Sequence, residues 1–117
     1  MNKIIALVLI VILVYILPAF SHPPSEIVIN YDLLKSQVGV VISHSVRKPA
    51  EHYIYKIEVY VNEKKVITQD TIAQTNEKEQ SLLYIIPGLK DGDKIIVRAE
   101  CNKGGEAKKS VIIKQKE

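Results

Sequence analysis

The sequence predicts an all-β domain, an antiparallel β-sandwich of about seven strands, behind an N-terminal signal helix. Three observations predict it. Short runs of alternating apolar and polar residues recur from Glu26 onward. Turn residues separate these runs, as in Asn62-Glu63-Lys64-Lys65, Pro87-Gly88, Asp91-Gly92 and Gly104-Gly105. No segment beyond the first twenty or so residues repeats its apolar positions at the helical period.

The chain opens with Met1-Asn2-Lys3, a short basic region, and runs apolar from Ile4 to Leu17. A run of about 14 residues suits the core of a signal peptide and is short of the roughly 20 needed to span a bilayer. Pro18 breaks the helix, and Ala19 and Ser21 are small residues at the −3 and −1 positions of a cleavage site after Ser21. The rival reading is an uncleaved anchor, the only route to a membrane. Either way residues 22–117 form one domain outside the cytoplasm, periplasmic or extracellular.

His22-Pro23-Pro24-Ser25 is stiff, since two prolines fix φ and remove donors. Glu26–Tyr31 is a β-branched first strand. Asp32–Ser36 is a turn in which Leu33 and Leu34 are candidates to pack inward. Gln37–His44 is the second strand, with Val38, Val40, Ile42 and then His44 on one face. Arg47-Lys48-Pro49 ends it. His52–Asn62 is the third, with Tyr53, Tyr55, Ile57, Val59 and Val61 expected in the core and His52 facing outward. Val66–Thr68 returns as a short strand. Asp70–Lys78 is polar and shows no pattern. Gln80–Ile86, Lys94–Cys101 and Ala107–Lys114 complete the set, with Ile95, Val97, Ala99 and Cys101 sharing one face, and Val111 and Ile113 opposed to Ile112. Seven short strands with turns at this spacing point to the immunoglobulin-like sandwich, without the Cys–Trp–Cys hallmark of antibody domains.

Composition narrows the function. The net charge of +3 is spread among interspersed acids and bases. No dense basic patch with interleaved aromatics argues for nucleic acid. A single cysteine makes no intramolecular disulfide, so a mature chain of about 96 residues must hold itself with its core. No Ser-His-Asp set, phosphate loop or paired catalytic carboxylate stands out.

The remaining chemistry lies in His22, His44, His52 and Cys101, all at strand ends or at the expected mature N-terminus. Imidazole and thiolate together suit iron, copper or zinc rather than calcium or magnesium. Strand ends cluster at the two edges of a sandwich, so these residues are candidates for one metal site. Bland readings stand beside this one. Cys101 also continues an apolar alternation as a buried inert thiol, His44 also fits a cap bonded to a backbone carbonyl, and His52 also fits an exposed strand residue. Separately, a mature N-terminal His22 would chelate copper through its α-amine and imidazole, as in small secreted copper-binding sandwiches.

Glu51-His52-Tyr53-Ile54, a histidine shortly before it, and Ala99-Glu100-Cys101-Asn102 late in the chain resemble the iron-binding domain of superoxide reductases, the desulfoferrodoxin and neelaredoxin family. The resemblance runs in order through most of residues 22–117. It implies an immunoglobulin-like fold, a non-haem iron centre of equatorial histidines with an axial cysteine thiolate, and reduction of superoxide to peroxide with electrons from a separate donor. It maps family ligands onto His44, His52 and Cys101, and the first family histidine onto His22. The chain departs from the family at Ser45, where a proline is usual, and at Lys103-Gly104, where a histidine precedes glycine. It has no fourth histidine and no match for the lysine that guides superoxide; Lys48, in the loop between His44 and His52, is the nearest substitute. Besides this iron domain, a copper-binding protein using His22 and a metal-free accessory module remain as alternatives.

Overall fold

The computed structural model describes residues 22–115, so the expected signal segment lies outside the described residues. Seven strands follow in order: β1 (Glu26–Asp32), β2 (Gln37–Ser43), β3 (Ile54–Val61), β4 (Lys64–Asp70), β5 (Glu79–Ile85), β6 (Lys94–Cys101) and β7 (Glu106–Ile112). They pair antiparallel into a three-stranded sheet, β1-β2-β5, and a four-stranded sheet, β4-β3-β6-β7. Among the described residues no helix is long and apolar enough to cross a membrane.

Alternation decides which face is buried. On β2, Val38, Val40 and Ile42 point inward; on β6, Ile95, Val97, Ala99 and Cys101 do the same. These residues join Ile27 and Ile29 of β1, Ile54, Ile57 and Val59 of β3, and Ile113 in one core shared by both sheets. Each such aliphatic side chain contributes about 1.5–3 kcal/mol on burial, without help from a disulfide. Of the pair in the β1–β2 turn, Leu33 packs against the core while Leu34 is fully exposed.

The third strand corrects the expected phase. Tyr53 and Tyr55 are half-buried and Ile54 is fully buried. The register against β6 slips here: Ile54 pairs with Cys101, but Lys56 pairs with Glu100, leaving Tyr55 as an extra residue. Such a bulge swaps the faces on either side of it. Tyr55 turns outward, where its hydroxyl donates to Glu100 at 2.5 Å. The same phase change carries His52, two residues before Ile54, toward the Cys101 side. The β3–β4 hairpin closes through Asn62 and Glu63, both at positive φ, the two-residue turn that matches strand twist. The returning strand is longer than expected.

The pairings bring the chemistry to one end of the molecule. Glu26 pairs with Ser43, so β1 begins where β2 ends. Ile54 pairs with Cys101, so β3 begins where β6 ends. The β2–β3 connection and the β4–β5 connection, residues 71–78, both pass from one sheet to the other at this end.

Candidate metal centre

All four sequence candidates meet at that end. The rings of His22, His44 and His52 form a near-equilateral triangle, with centroids 4.9–5.1 Å apart. One nitrogen from each lies within 4.8 Å of the others. Cys101 adjoins this triangle at His52, its Sγ 3.1 Å from His52 Nε2.

Each residue is held by its own segment. His44 continues β2: its amide donates to the Lys78 carbonyl at 2.9 Å, and its side chain is almost completely buried. His52 closes a single helical turn led by Pro49, in which the amides of Glu51 and His52 both donate to the Lys48 carbonyl. Cys101 ends β6 on the core face, as the apolar alternation requires. His22 precedes β1, and its Nε2 donates to the Ser45 carbonyl at 2.7 Å. A carbonyl only accepts, so His22 carries its proton on Nε2 and keeps the Nδ1 lone pair.

Asn102 and Gly105 hold the segments against each other. The Asn102 side chain accepts from the Tyr53 amide and donates to the Glu51 carbonyl, both at 2.9 Å, while its own amide donates to the Tyr53 carbonyl. His52 is thus tied on both sides to the residue that follows Cys101. Gly105 has φ of +91°, and a Cβ there would lie 2.9 Å from Pro23, so the β6–β7 turn and the His22 segment are in direct backbone contact.

One donor pair has the spacing of two ligands on a transition metal. Metal–nitrogen bonds near 2.1 Å and metal–sulfur bonds near 2.3 Å put cis ligands at a right angle about 3.1 Å apart, the His52–Cys101 distance. In the metal-free protein the same contact shares one proton, which a cation would displace. The Lys103 amide donates to Sγ at 3.4 Å, the kind of contact that orients a sulfur ligand. The pKa of His52 is lowered by burial first, then by His44, His22 and Lys103, which favours the neutral ligand form. The clustered side chains are three imidazoles and a thiol rather than carboxylates, which disfavours calcium and magnesium.

No protein-family model, curated protein or solved structure matches this chain. The site is therefore read from its own geometry. A cleft of about 500 Å³ reaches His22 and His52 from solvent, with Arg47, Lys48 and Lys103 on its walls. Glu51 is the one carboxylate there; its 3.8 Å contact with Lys48 is exposed and weak. Cys101 lines a different cleft, with Tyr53 and Tyr55. The sequence reading missed Gln74, whose Oε1 lies 2.8 Å from His44 Nδ1. It lies in a polar stretch without periodicity, and no local signal marks it.

Proposed function

We propose that this domain binds one first-row transition metal ion through His22, His44, His52 and Cys101, as an exported, superoxide-reductase-like iron protein. The observation that carries the reading is the gathering of three imidazoles, each offering a nitrogen within 4.8 Å of the others, with the Cys101 thiol 3.1 Å from one of them, from four separate chain segments. The three-plus-four sheet arrangement supports the immunoglobulin-like form of the sandwich, with the site where strands from both sheets end.

The chemistry a bound ferrous ion supplies is one electron to superoxide, which with two protons gives hydrogen peroxide. The chain's own residues have three tasks in this reading. Arg47, Lys48 and Lys103 make the approach to His22 and His52 cationic and favour a small anion. His44, almost completely buried, limits water on its side of the site. The Lys103 amide bonds the sulfur. The place of the family's fourth histidine is filled by Lys103, so the protein ligand set is smaller than the family's. The electron donor is a separate protein or small molecule. Stopped-flow superoxide reduction by the iron-loaded protein, compared with a His52→Ala variant, tests this activity: a rate that depends on His52 supports it, and a rate no faster than free iron contradicts it.

A second reading is favoured by one observation. With Nε2 bonded to Ser45, His22 offers Nδ1, the nitrogen that closes a six-membered chelate with the α-amine of the same residue. If the mature chain begins at His22, that amine is a further ligand and copper becomes the preferred ion. Protein beginning at His22 with a free α-amine is expected to bind Cu(II) far more tightly than the same protein acetylated at that amine. Equal affinities would remove the copper reading and leave the iron one intact.

A further inference from the structure

We propose that Gln74 is a positioning residue that holds the His44 proton on Nδ1 and so turns the Nε2 lone pair toward the side where His22 lies. The inference deepens the metal reading above, and its role for metal binding rests on that reading.

The amide of Gln74 is nearly fully buried, and its orientation follows from its partners. Its Nε2 lies 2.6 Å from the His44 carbonyl and 3.0 Å from the Asn76 carbonyl. Both partners can only accept, so this end of the side chain is the NH2 group and both its protons are used. The other end is the carbonyl oxygen, which can only accept. Its 2.8 Å contact with His44 Nδ1 therefore requires a proton on Nδ1. A neutral imidazole has one proton, so Nε2 is left with a lone pair.

That lone pair has no donor facing it. His44 Nε2 lies 3.3 Å from the His22 carbonyl oxygen, itself an acceptor. In the neutral ring this buried nitrogen therefore faces an acceptor and not a donor, an arrangement that a cation bound at Nε2 would relieve. A histidine side chain in water prefers the opposite tautomer, with the proton on Nε2, so Gln74 works against the intrinsic preference. The main chain fixes Gln74 in turn: its amide donates to the Pro49 carbonyl at 2.9 Å, tying residues 71–78 to the turn that carries His52.

Long-range proton–nitrogen NMR on the metal-free protein at about pH 8, where imidazoles are neutral, tests the assignment. In the unaltered protein His44 is expected to show a protonated Nδ1 and an unprotonated Nε2. In Gln74→Met the proton is expected to move toward Nε2, and the affinity for Zn(II), used as a redox-silent probe, to fall by about 10–100-fold. A proton on Nε2 in the unaltered protein overturns the proposal, and that measurement needs no variant to fold. A Gln74→Met protein that keeps both the Nδ1 proton and the affinity also overturns it. If His44 shows the expected tautomer but no metal binds, the positioning stands and the metal reading fails.

Discussion

Nε2 of His52 lies 3.1 Å from Sγ of Cys101, across 49 residues of sequence. The contact depends on the β3 bulge, which turns the Ile54 side of the strand inward, and on Asn102, which bonds main-chain atoms on both sides of His52. Asn102→Ala removes two side-chain bonds and is expected to lower stability by about 1–2 kcal/mol. It is also expected to weaken metal binding by about 10–100-fold. Denaturant unfolding and metal titration on the same samples check both effects; unchanged affinity would mean that His52 is positioned without the clamp.

Gly105 makes a separate prediction about His22. A Cβ at Gly105 meets Pro23 at 2.9 Å and sits at positive φ, whereas Gly88 also has positive φ but has open space around it. Both Gly→Ala changes carry the backbone penalty, about 1–3 kcal/mol. Only Gly105→Ala is expected to displace the His22 segment and weaken metal binding. Equal affinities in the two variants would show that Pro23 yields without moving His22.

The pH dependence of the metal-free fold has a definite sign. The pKa of His52 is depressed, by burial above all, from 6.5 in the unfolded chain. The unfolded state therefore binds more protons below that value, and stability present above it is lost as pH falls through the folded pKa. Glu58, bonded foremost by Lys65, and Glu100, bonded foremost by Tyr55, are also depressed, and their stabilisation is lost at lower pH, below about 4.5. Unfolding midpoints are expected to fall in two steps on acidification, the upper one absent in His52→Ala. A midpoint that rises on acidification through the upper range would instead mark an imidazolium stabilised by the Cys101 thiolate.

Much of the sheet architecture was legible because strand alternation reports burial directly. Val38, Val40 and Ile42, and Ile95 through Cys101, face the core as their spacing requires, and Ile113 lies opposite to the exposed Ile112. The phase of β3 was not legible at its start. Tyr53 and Tyr55 fit the alternation of Ile57 and Val59 in sequence, and a bulge is set by pairing with β6 rather than by local residues. The four candidate ligands were legible as types of residue at strand ends. Their meeting was not, since it depends on which ends share an edge. Gln74 illustrates the limit further: a glutamine in a polar loop carries no sign that the loop crosses between sheets and buries its amide against a histidine.

The metal content and visible spectrum of the protein, beside those of Cys101→Ser, test the central claim most directly. The account predicts one metal ion per chain and a thiolate-to-metal absorption band in the oxidised protein that disappears in Cys101→Ser. Absence of stoichiometric metal in both oxidised and reduced protein, or a spectrum unchanged by loss of the sulfur, would contradict a site built from three imidazoles and a thiolate.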